Sequence, residues 1–312
     1  MDNKEKNFAS AVIYVHNAEN RIENFLNTII SVMEDNFEHS EIICINDSSD
    51  DNSLSKIKEA SNRAERTSVS VVNMGYFHGL EIAMNAGIDL TIGDFVFEFD
   101  NTILDYNKSE IMKVYHKSLQ GYDIVNASPD RKNKFTSNLF YKVLNKFTDL
   151  SYLMQTESFR ILSRRAINRI SSMNKTTPYR KVIYARSGLK ADTINYKAID
   201  DLKIQTDKKE KHYRFGLAVD SLILFTNVGY TFSITMTILM MLISTFMVVY
   251  SIMIYITAHP VAGWTTTILF LSIAMFGLFG ILTIIIKYLQ LIVNFIFKRK
   301  HYSFESIEKL TK

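Results

Sequence analysis

The strongest constraint on the fold is an uncharged run. Residues 221–286, 66 positions in all, contain no Asp, Glu, Lys or Arg. One helix needs roughly 20 apolar residues to cross a bilayer core of about 30 Å, so the run is too long for one span and suits two. We predict spans at about 230–257 and 263–286, with Pro260 and Trp264 in the connection between them. A buried helical hairpin in a soluble protein is the weaker alternative at this length.

Basic residues flank the uncharged run on both sides. Four precede it and three follow it: Lys208, Lys209, Lys211 and Arg214, then Lys298, Arg299 and Lys300. Because positive charge favours the cytoplasmic side, both ends of the hairpin are expected in the cytoplasm. Residues 1–220 are charge-balanced, so the net charge of +4 belongs to residues 221–312. We attribute this charge to basic residues that flank the predicted membrane spans, and no nucleic-acid partner is expected.

The charge pattern divides the chain into four parts. We predict a cytoplasmic domain over 1–211, an interfacial amphipathic helix over 212–229, a membrane hairpin over 230–297 and a basic cytoplasmic tail over 298–312. The N-terminus is polar and lacks the apolar core of a signal peptide, so the first domain and both termini are expected in the cytoplasm. The extension after residue 286 suits either an interfacial helix or a contact with a second copy of the chain. A single cysteine, Cys44, excludes a disulfide framework.

The first domain alternates strand-like and helix-like segments. The runs FASAVIYVHN, SEIICIND, SVSVVNM and DFVFEFD read as strands, and apolar residues recur at helical spacing between them. This order predicts an α/β fold with a mainly parallel, Rossmann-like sheet covered by helices on both faces. Ligands bind beyond the carboxyl ends of such strands. Three pairs of polar residues fall there: His16-Asn17, Asn46-Asp47 and Asp100-Asn101.

Three segments carry a more specific resemblance. AVIYVHNAEN, EIICINDSSDDNS and NMGYFHGLEIAMNAGIDLTIGDFVFEFD resemble, in this order, the N-terminal half of family 2 glycosyltransferases, which have the GT-A fold. The later TESFRILSRRAINRI is similar to the polyisoprenyl-phosphate branch, which carries two C-terminal membrane helices. The resemblance covers about residues 8–220. It implies inverting transfer of a sugar from a UDP- or GDP-type nucleotide sugar to a lipid of the inner (cytoplasmic) membrane, most simply polyprenyl (undecaprenyl) phosphate, for a cell-surface glycan.

The resemblance also implies which residues bind the nucleotide. They are Asn17, Glu19, Asp47, Asp51 and Gly75. Strand-end carboxylates and amides accept hydrogen bonds from a base or a ribose. Two positions depart from the family pattern, since Tyr14 stands where Pro is usual and Asn46 replaces the first Asp of a pair. The alternative for Asp51 is that it only caps the following helix.

The acidic strand end FVFEFDNTILD is the expected metal site. Asp100 matches the first family carboxylate, whereas Thr102 stands where the second is usual. Glu98 projects from the same strand face as Asp100, and Asp105 matches a further acidic position. The resemblance implies Mg²⁺ or Mn²⁺ bound by Asp100, Asp105 and Glu98 together with the donor diphosphate, with Asp100 and Asp105 catalytic.

Basic residues are the expected ligands of the acceptor phosphate. Guanidinium groups bind phosphate through paired hydrogen bonds, which favours Arg160, Arg164 and Arg131, with Arg160 also catalytic. The alternative is a solvated basic helix face. Residues 150–200 contain no paired Glu and Asp. This fits a phosphate acceptor, because it is already ionised and needs no general base.

Two other functions stay open. In the first, the enzyme transfers the sugar to a hydroxyl group of a lipid-linked saccharide, a reaction that requires a general base. A catalytically silent membrane scaffold that binds a nucleotide or a partner is the third reading, and Thr102 and Asn46 are its support.

Overall fold

The computed structural model describes residues 4–130, 135–148, 150, 152–173, 179–199, 208–225 and 304–309, with isolated helical positions between 232 and 292. The chain forms two compact units. The first contains Met1–Ala218 and Arg299–Lys312, and the second contains Val219–Lys298. None of the described helices has both the length and the apolar character that a membrane crossing requires. Most of the predicted spans, at 230–257 and 263–286, lies outside the described residues.

The described elements alternate along most of the first unit. The strands are β1 (Ala9–Val15), β2 (Ser40–Asn46), β3 (Ser68–Met74), β4 (Phe95–Phe99), β5 (Ile124–Pro129), β6 (Phe159–Ser163), β7 (Ala191–Tyr196) and β8 (Phe304–Lys309). The helices are α1 (Ile22–Asn36), α2 (Ser53–Ser61), α3 (Leu80–Leu90), α4 (Ser109–Ser118), α5 (Phe135–Phe147), α6 (Arg164–Met173), α7 (Arg180–Arg186) and α8 (Lys208–Phe225).

The strands form one sheet in the order β7-β5-β6-β4-β1-β2-β3-β8. The pairs β1–β2, β1–β4 and β2–β3 are parallel, and so is the pair β5–β7. This confirms the predicted mainly parallel α/β sheet. Two strands differ, because β6 runs antiparallel between β4 and β5 and β8 runs antiparallel along β3. The sequence pattern did not predict either of them.

The core lies on both faces of the sheet. Every residue of β1 is buried, as expected for a strand that is covered on both sides. On one face, Phe25 of α1 packs with Phe99 of β4, and their ring centroids are 5.4 Å apart. On the other face, α3 lies close to the sheet at Gly87, where an added Cβ would come within 2.4 Å of Val12. Glycine therefore allows this close approach.

The C-terminal segment returns to the sheet. Residues 298–312 were predicted as a basic tail, and the structure places Phe304–Lys309 in β8, where Ser306 is the register partner of Asn73. This covers an edge of β3 that would otherwise expose unpaired main-chain groups. The chain therefore leaves the first unit before residue 219 and re-enters it after residue 298. Helix α8 begins at Lys208, four residues before the predicted interfacial helix.

Candidate active site

The loops that follow β1 and β2 are joined by reciprocal hydrogen bonds. The Asn17 side-chain oxygen accepts from the N–H of Asp50 at 2.9 Å. The N–H of Glu19 donates to Asp51 at 3.0 Å, and the Glu19 carboxylate accepts from the N–H of Asn52 at 3.1 Å. Asn17 has a φ of 47°, a left-handed conformation that Asn tolerates well. We call the edge of the sheet formed by the carboxyl ends of its parallel strands the rim. Three predicted nucleotide ligands thus fix the conformation of two loops of the rim.

Asp51 also contacts the start of α2. Its carboxylate accepts from the N–H of Ser53 at 3.0 Å, which is the contact expected of a residue near a helix start. Burial would raise the pKa of Asp51, but hydrogen bonds from Ser53 and from the N–H of Glu19 lower it below its ordinary value. Asp51 thus contacts the first residue of α2, whereas the N-cap residue is Asn52, which makes no side-chain capping bond. A nucleotide contact by Asp51 stays a prediction.

Asp47 anchors the loop between β3 and α3. Its side chain is fully buried and accepts from the N–H groups of His78 and Gly79, each at 2.8 Å. The hydroxyl of Tyr14 donates to it at 3.1 Å. Gly75, also predicted to bind the nucleotide, is exposed in the same loop. Asp47 therefore stabilises this loop through two main-chain donors, and Tyr14 of β1 donates a third hydrogen bond to the same carboxylate.

Asp100, at the end of β4, is bonded to two arginines. Arg180 donates to one carboxylate oxygen and Arg160 to the other, each at 2.8 Å, and the Lys181 ammonium lies 3.8 Å away. Burial would raise the pKa of Asp100, but the charges of Arg160, Arg180 and Lys181 outweigh burial and hold the pKa well below its ordinary value. Asp100 is therefore a carboxylate at neutral pH.

Further carboxylates surround Arg160, whose side chain is buried. It donates to Glu98 at 2.6 Å and to Glu157 at 3.2 Å. The Tyr184 hydroxyl donates to the second oxygen of Glu98 at 2.6 Å. Glu98 and Asp100 thus share Arg160, which agrees with their expected position on one strand face. The contact of Arg160 with an acceptor phosphate stays a prediction, and in this structure the guanidinium is bonded to carboxylates.

Arg180 connects Asp100 to the first turn of α3. Its main-chain N–H and its Nε both donate to Glu81 at 2.9 Å. The other Glu81 oxygen is buried without a hydrogen-bond partner among the described residues. We call the whole group the charged cluster: Glu81, Glu98, Asp100, Glu157, Arg160, Arg180 and Lys181. Its four carboxylates outnumber its three cations, so its formal charge is negative.

The remaining predicted residues lie apart from the charged cluster or outside the described residues. Asp105 is buried and accepts from Tyr196 at 2.8 Å and from Ser158 at 3.2 Å. Arg164 donates to the carbonyl oxygen of Gly93, in the turn before β4. Arg131 lies outside the described residues. The structure therefore brings Glu98, Asp100 and Arg160 together and gives Asp105 and Arg164 different partners.

Sequence reasoning did not identify Arg180, Lys181, Glu81 or Tyr184. One signal in the sequence pointed to buried cations in general. Glu98 and Asp100 lie on one face of a buried strand, and buried carboxylates are usually paired with cations. Arg160 was the nearest candidate by register, since it lies opposite Glu98 on β6. No pattern in the sequence points to Arg180, which lies 80 residues beyond Asp100.

A small cavity of about 80 Å³ opens at the carboxyl ends of β1 and β4. Its lining comes from three segments: Tyr14, His16, Asn17, Ala18 and Arg21; Asp100 to Ile103; and Glu210 with Arg214. Asp100 is the member of the charged cluster that reaches this cavity. The carboxyl ends of the strands are where open α/β sheets bind their ligands.

The oxygen donors at the end of β4 suit a hard divalent cation. Asp100, Asn101 and Thr102 line the cavity and offer a carboxylate, an amide and a hydroxyl. Within the described part of the chain, no group of three or more His, Cys, Asp or Glu side chains forms a metal site. These residues therefore fit a cation that takes further oxygen ligands from a bound phosphate compound.

A mainly parallel sheet with a polar cavity at the carboxyl ends of its strands is the architecture of a ligand-binding α/β domain. Residues 10–171, about half of the chain, match Glycosyl transferase family 2, and the protein belongs to this family.

The curated relatives are 27–31% identical to this chain over the aligned residues. An uncharacterized glycosyltransferase of Synechocystis is 31% identical over 187 residues, or 57% of each chain. A bactoprenol glucosyl transferase of Shigella phage SfX is 29% identical over 195 residues, which cover 60% of this chain and 62% of the relative. An undecaprenyl-phosphate 4-deoxy-4-formamido-L-arabinose transferase of Aeromonas hydrophila is 27% identical over 47% of this chain and 44% of its own. The matches span less than two thirds of these relatives.

Solved structures share the fold at low identity. Glucosyl-3-phosphoglycerate synthase of Mycobacterium tuberculosis, in complex with Mn²⁺, UDP and phosphoglyceric acid, has a TM-score of 0.52 and 14% identity over 70% of this chain and 76% of its own. A mannosyltransferase of Pyrobaculum calidifontis, in complex with GDP-mannose and Mn²⁺, has a TM-score of 0.51 and 13% identity over 70% of this chain and 63% of its own. The sheet is therefore of the GT-A type.

Proposed function

We propose that the protein is an inverting glycosyltransferase that moves a sugar from a nucleoside diphosphate sugar to polyprenyl phosphate at the cytoplasmic face of the inner membrane. The observation that carries this proposal is the side chain of Asp100, bonded to two buried arginines and lining a cavity at the carboxyl ends of the strands of a family 2 domain. Such a carboxylate suits the binding of a nucleotide sugar diphosphate through a cation.

The donor binds between the two joined loops and the end of β4. The predicted nucleotide ligands Asn17, Glu19, Asp47 and Asp51 already accept hydrogen bonds from main-chain N–H groups. They therefore act first by fixing the shape of the rim, so less conformational freedom is lost when the nucleotide binds. The UDP and GDP-mannose complexes of the two fold neighbours support a nucleotide sugar as the donor class.

The acceptor assignment is supported by two relatives whose names include bactoprenol or undecaprenyl phosphate. A phosphate oxygen of polyprenyl phosphate attacks the anomeric carbon of the donor. The bond from this carbon to the diphosphate oxygen breaks, and the nucleoside diphosphate leaves with the electron pair. Direct displacement inverts the anomeric centre. The acceptor is already ionised, so this reaction requires no general base.

Asp100 would hold Mg²⁺ or Mn²⁺ together with oxygen atoms of the donor diphosphate. A divalent cation supplies positive charge that stabilises the departing diphosphate. Asp100 contributes a permanent negative charge at the cavity, and Arg160 and Arg180 fix its orientation through one hydrogen bond to each oxygen.

The route of the chain supports the proposed membrane anchor. Residues 219–298 contain the uncharged run, and the segments on both sides belong to the first unit. If this run crosses the membrane an even number of times, both flanking segments lie on the same side. The proposed two-helix hairpin meets this condition. The second copy suggested by the apolar extension after residue 286 stays part of the proposal.

The test uses full-length protein in membranes that contain polyprenyl phosphate, with radiolabelled UDP- and GDP-sugars supplied one at a time. We expect one sugar to enter an organic-extractable lipid and to stop entering it when EDTA removes divalent cations. The matched control is Asp94→Asn, which alters a carboxylate at the opposite end of β4. Label that resists organic extraction would indicate a saccharide acceptor. No transfer of any sugar, with no Mn²⁺-dependent binding of UDP or GDP, would overturn the proposal in favour of a silent scaffold.

A further inference from the structure

Two of the three arginines predicted to bind phosphate, Arg160 and Arg164, are not among the described residues that line the cavity. Arg160 lies inside the charged cluster, and Arg164 is bonded to the carbonyl of Gly93. Among the described residues that line the cavity, the cations at neutral pH are Arg21, in the loop after β1, and Arg214, on α8. A phosphate in this cavity would therefore meet a different set of guanidinium groups from the predicted one.

Arg214 is paired with a carboxylate of its own helix. Its guanidinium lies 2.6 Å from Glu210, one turn earlier on α8, and both side chains line the cavity together with Asp100 and Thr102. The Arg214 side chain is 47% exposed. The Glu210 side chain is 19% exposed. Glu four residues before a basic residue is the favoured order, but a pair within one helix contributes little free energy when one partner is exposed. An incoming anion can therefore replace Glu210 at low cost.

Tyr213 fixes the position of this part of α8. Its hydroxyl accepts a hydrogen bond from the N–H of Glu81 at 3.3 Å. Its ring lies so close to Gly79 that an added Cβ there would come within 2.3 Å of it. Gly79 belongs to the loop that Asp47 anchors, and Glu81 belongs to the charged cluster. The first half of α8 is thus held against the start of α3, next to both the anchored loop and the charged cluster.

The cavity is too small for the proposed donor as it stands. Its volume of about 80 Å³ compares with roughly 300–1,000 Å³ for pockets that hold drug-sized ligands. Glu210 and Arg214 form one wall of the remaining space. A change in this wall, beginning with separation of the pair, would enlarge the cavity and leave the buried charged cluster intact.

We infer that Arg214 binds a phosphate group of a substrate in this cavity, and that Glu210 occupies the guanidinium until the phosphate replaces it. The inference rests on the proposed function, because it assigns the residue that contacts the phosphate of that reaction. A planar guanidinium forms two parallel hydrogen bonds with phosphate as readily as with carboxylate, so the exchange keeps the donors of Arg214 satisfied. The phosphate belongs either to the donor diphosphate or to the lipid acceptor.

The test measures calorimetric binding of UDP, GDP and the corresponding nucleosides to full-length protein in detergent, with Mn²⁺ present. We expect Arg214→Gln to weaken nucleoside diphosphate binding by about 10- to 100-fold, as for loss of a charge-assisted hydrogen bond, and to leave nucleoside binding unchanged. Glu210→Gln removes the internal competitor and should tighten diphosphate binding. Arg63→Gln, which removes an exposed arginine paired with Glu23 on the far side of the loops, is the matched control.

A second arm separates the two sources of phosphate. If Arg214→Gln leaves diphosphate binding unchanged but raises the KM for polyprenyl phosphate at least tenfold, the bound phosphate is that of the acceptor. If the nucleoside diphosphate affinity, the KM for polyprenyl phosphate and the thermal midpoint of Arg214→Gln all match those of the wild type, the inference is overturned and the proposed function stands. Wild-type protein that binds no nucleoside diphosphate and transfers no sugar would overturn both.

Discussion

The two halves of the rim use carboxylates in opposite ways. In the joined loops after β1 and β2, Glu19 and Asp51 accept hydrogen bonds from main-chain N–H groups. At the end of β4, Glu98 and Asp100 are instead bonded to arginine side chains and are almost completely buried. Every residue except proline offers a main-chain N–H, whereas a guanidinium comes only from arginine. The loops therefore tolerate changes in their partners, and the charged cluster does not.

The largest effect is expected from Arg180→Met. Removing one partner of a buried ion pair leaves uncompensated charge, which typically costs about 3–5 kcal/mol in the free energy of unfolding. Here Glu81 and Asp100 would each lose a donor. Urea unfolding of the full-length protein measures the loss. Arg63→Gln is the control, because both partners of its pair with Glu23 are solvent-accessible and its loss should leave the urea midpoint almost unchanged. Equal losses in both variants would contradict the contrast between buried and exposed pairs.

Asp100→Asn tests whether the charge of the cluster serves the reaction. We expect the turnover number to fall about 10²- to 10³-fold, the range seen when one preorganised electrostatic group is removed from an active site. The measurement is the rate of sugar transfer at saturating donor. Asp94→Asn, at the start of β4, should keep a near wild-type rate. Intact turnover in Asp100→Asn would show that Asp100 is a structural residue.

Asp47→Asn tests the role of a carboxylate on the loop side. The amide keeps one acceptor oxygen, so one of the N–H groups of His78 and Gly79 loses its partner. Leaving a buried donor unsatisfied costs about 1–3 kcal/mol. We expect faster amide exchange over residues 76–80, measured by hydrogen–deuterium exchange. Asp50→Asn is the control, because Asp50 is exposed and contributes its main-chain N–H to Asn17.

Gly79→Ala and Gly121→Ala form a matched pair. Both glycines have positive φ, 83° and 89°, and Gly79 also has ψ of 161°, a backbone region that is essentially restricted to glycine. Alanine with a positive φ costs roughly 1 kcal/mol or more at either position. Only at Gly79 would the new Cβ meet the Tyr213 ring, at 2.3 Å, whereas nothing lies within 4 Å of it at Gly121. The thermal midpoint should therefore fall further for Gly79→Ala. Equal shifts would show that α8 is not held against this loop.

The smallest effect is expected from pH changes near neutrality. The pKa of Asp100 is depressed in the folded protein, so its contribution to stability is fully present above the ordinary Asp pKa of about 3.9. It is lost as the pH falls from there through the depressed pKa. The difference in urea midpoint between wild type and Arg180→Met should therefore stay constant from pH 5 to 8 and shrink below pH 4. A large change between pH 5 and 8 would contradict this assignment.

The order of elements from β1 to β4 was predictable because local signals repeat there. Apolar strands alternate with helices whose apolar residues recur at helical spacing, such as Ile22, Phe25 and Leu26 in α1. Strand β8 gave no comparable signal, because it is short and pairs with β3 more than 200 positions away in sequence. The membrane hairpin and the basic tail were both argued from charge, and the structure assigns part of that tail to the sheet.

The sequence by itself determined where the site would lie. Asn17, Asp47 and Asp100 follow three parallel strands, and the carboxyl ends of parallel strands meet at one edge of a sheet. The family also follows from these segments and their order.

The tertiary structure alone decided what each side chain contacts. It placed Arg180 on Asp100 across 80 positions of sequence and placed Arg214, instead of Arg164, at the cavity. Strand order is encoded locally, by the period of apolar residues and by turns. Hydrogen bonds and charge interactions depend instead on separations of a few ångströms in space, and these are set only when distant segments pack together.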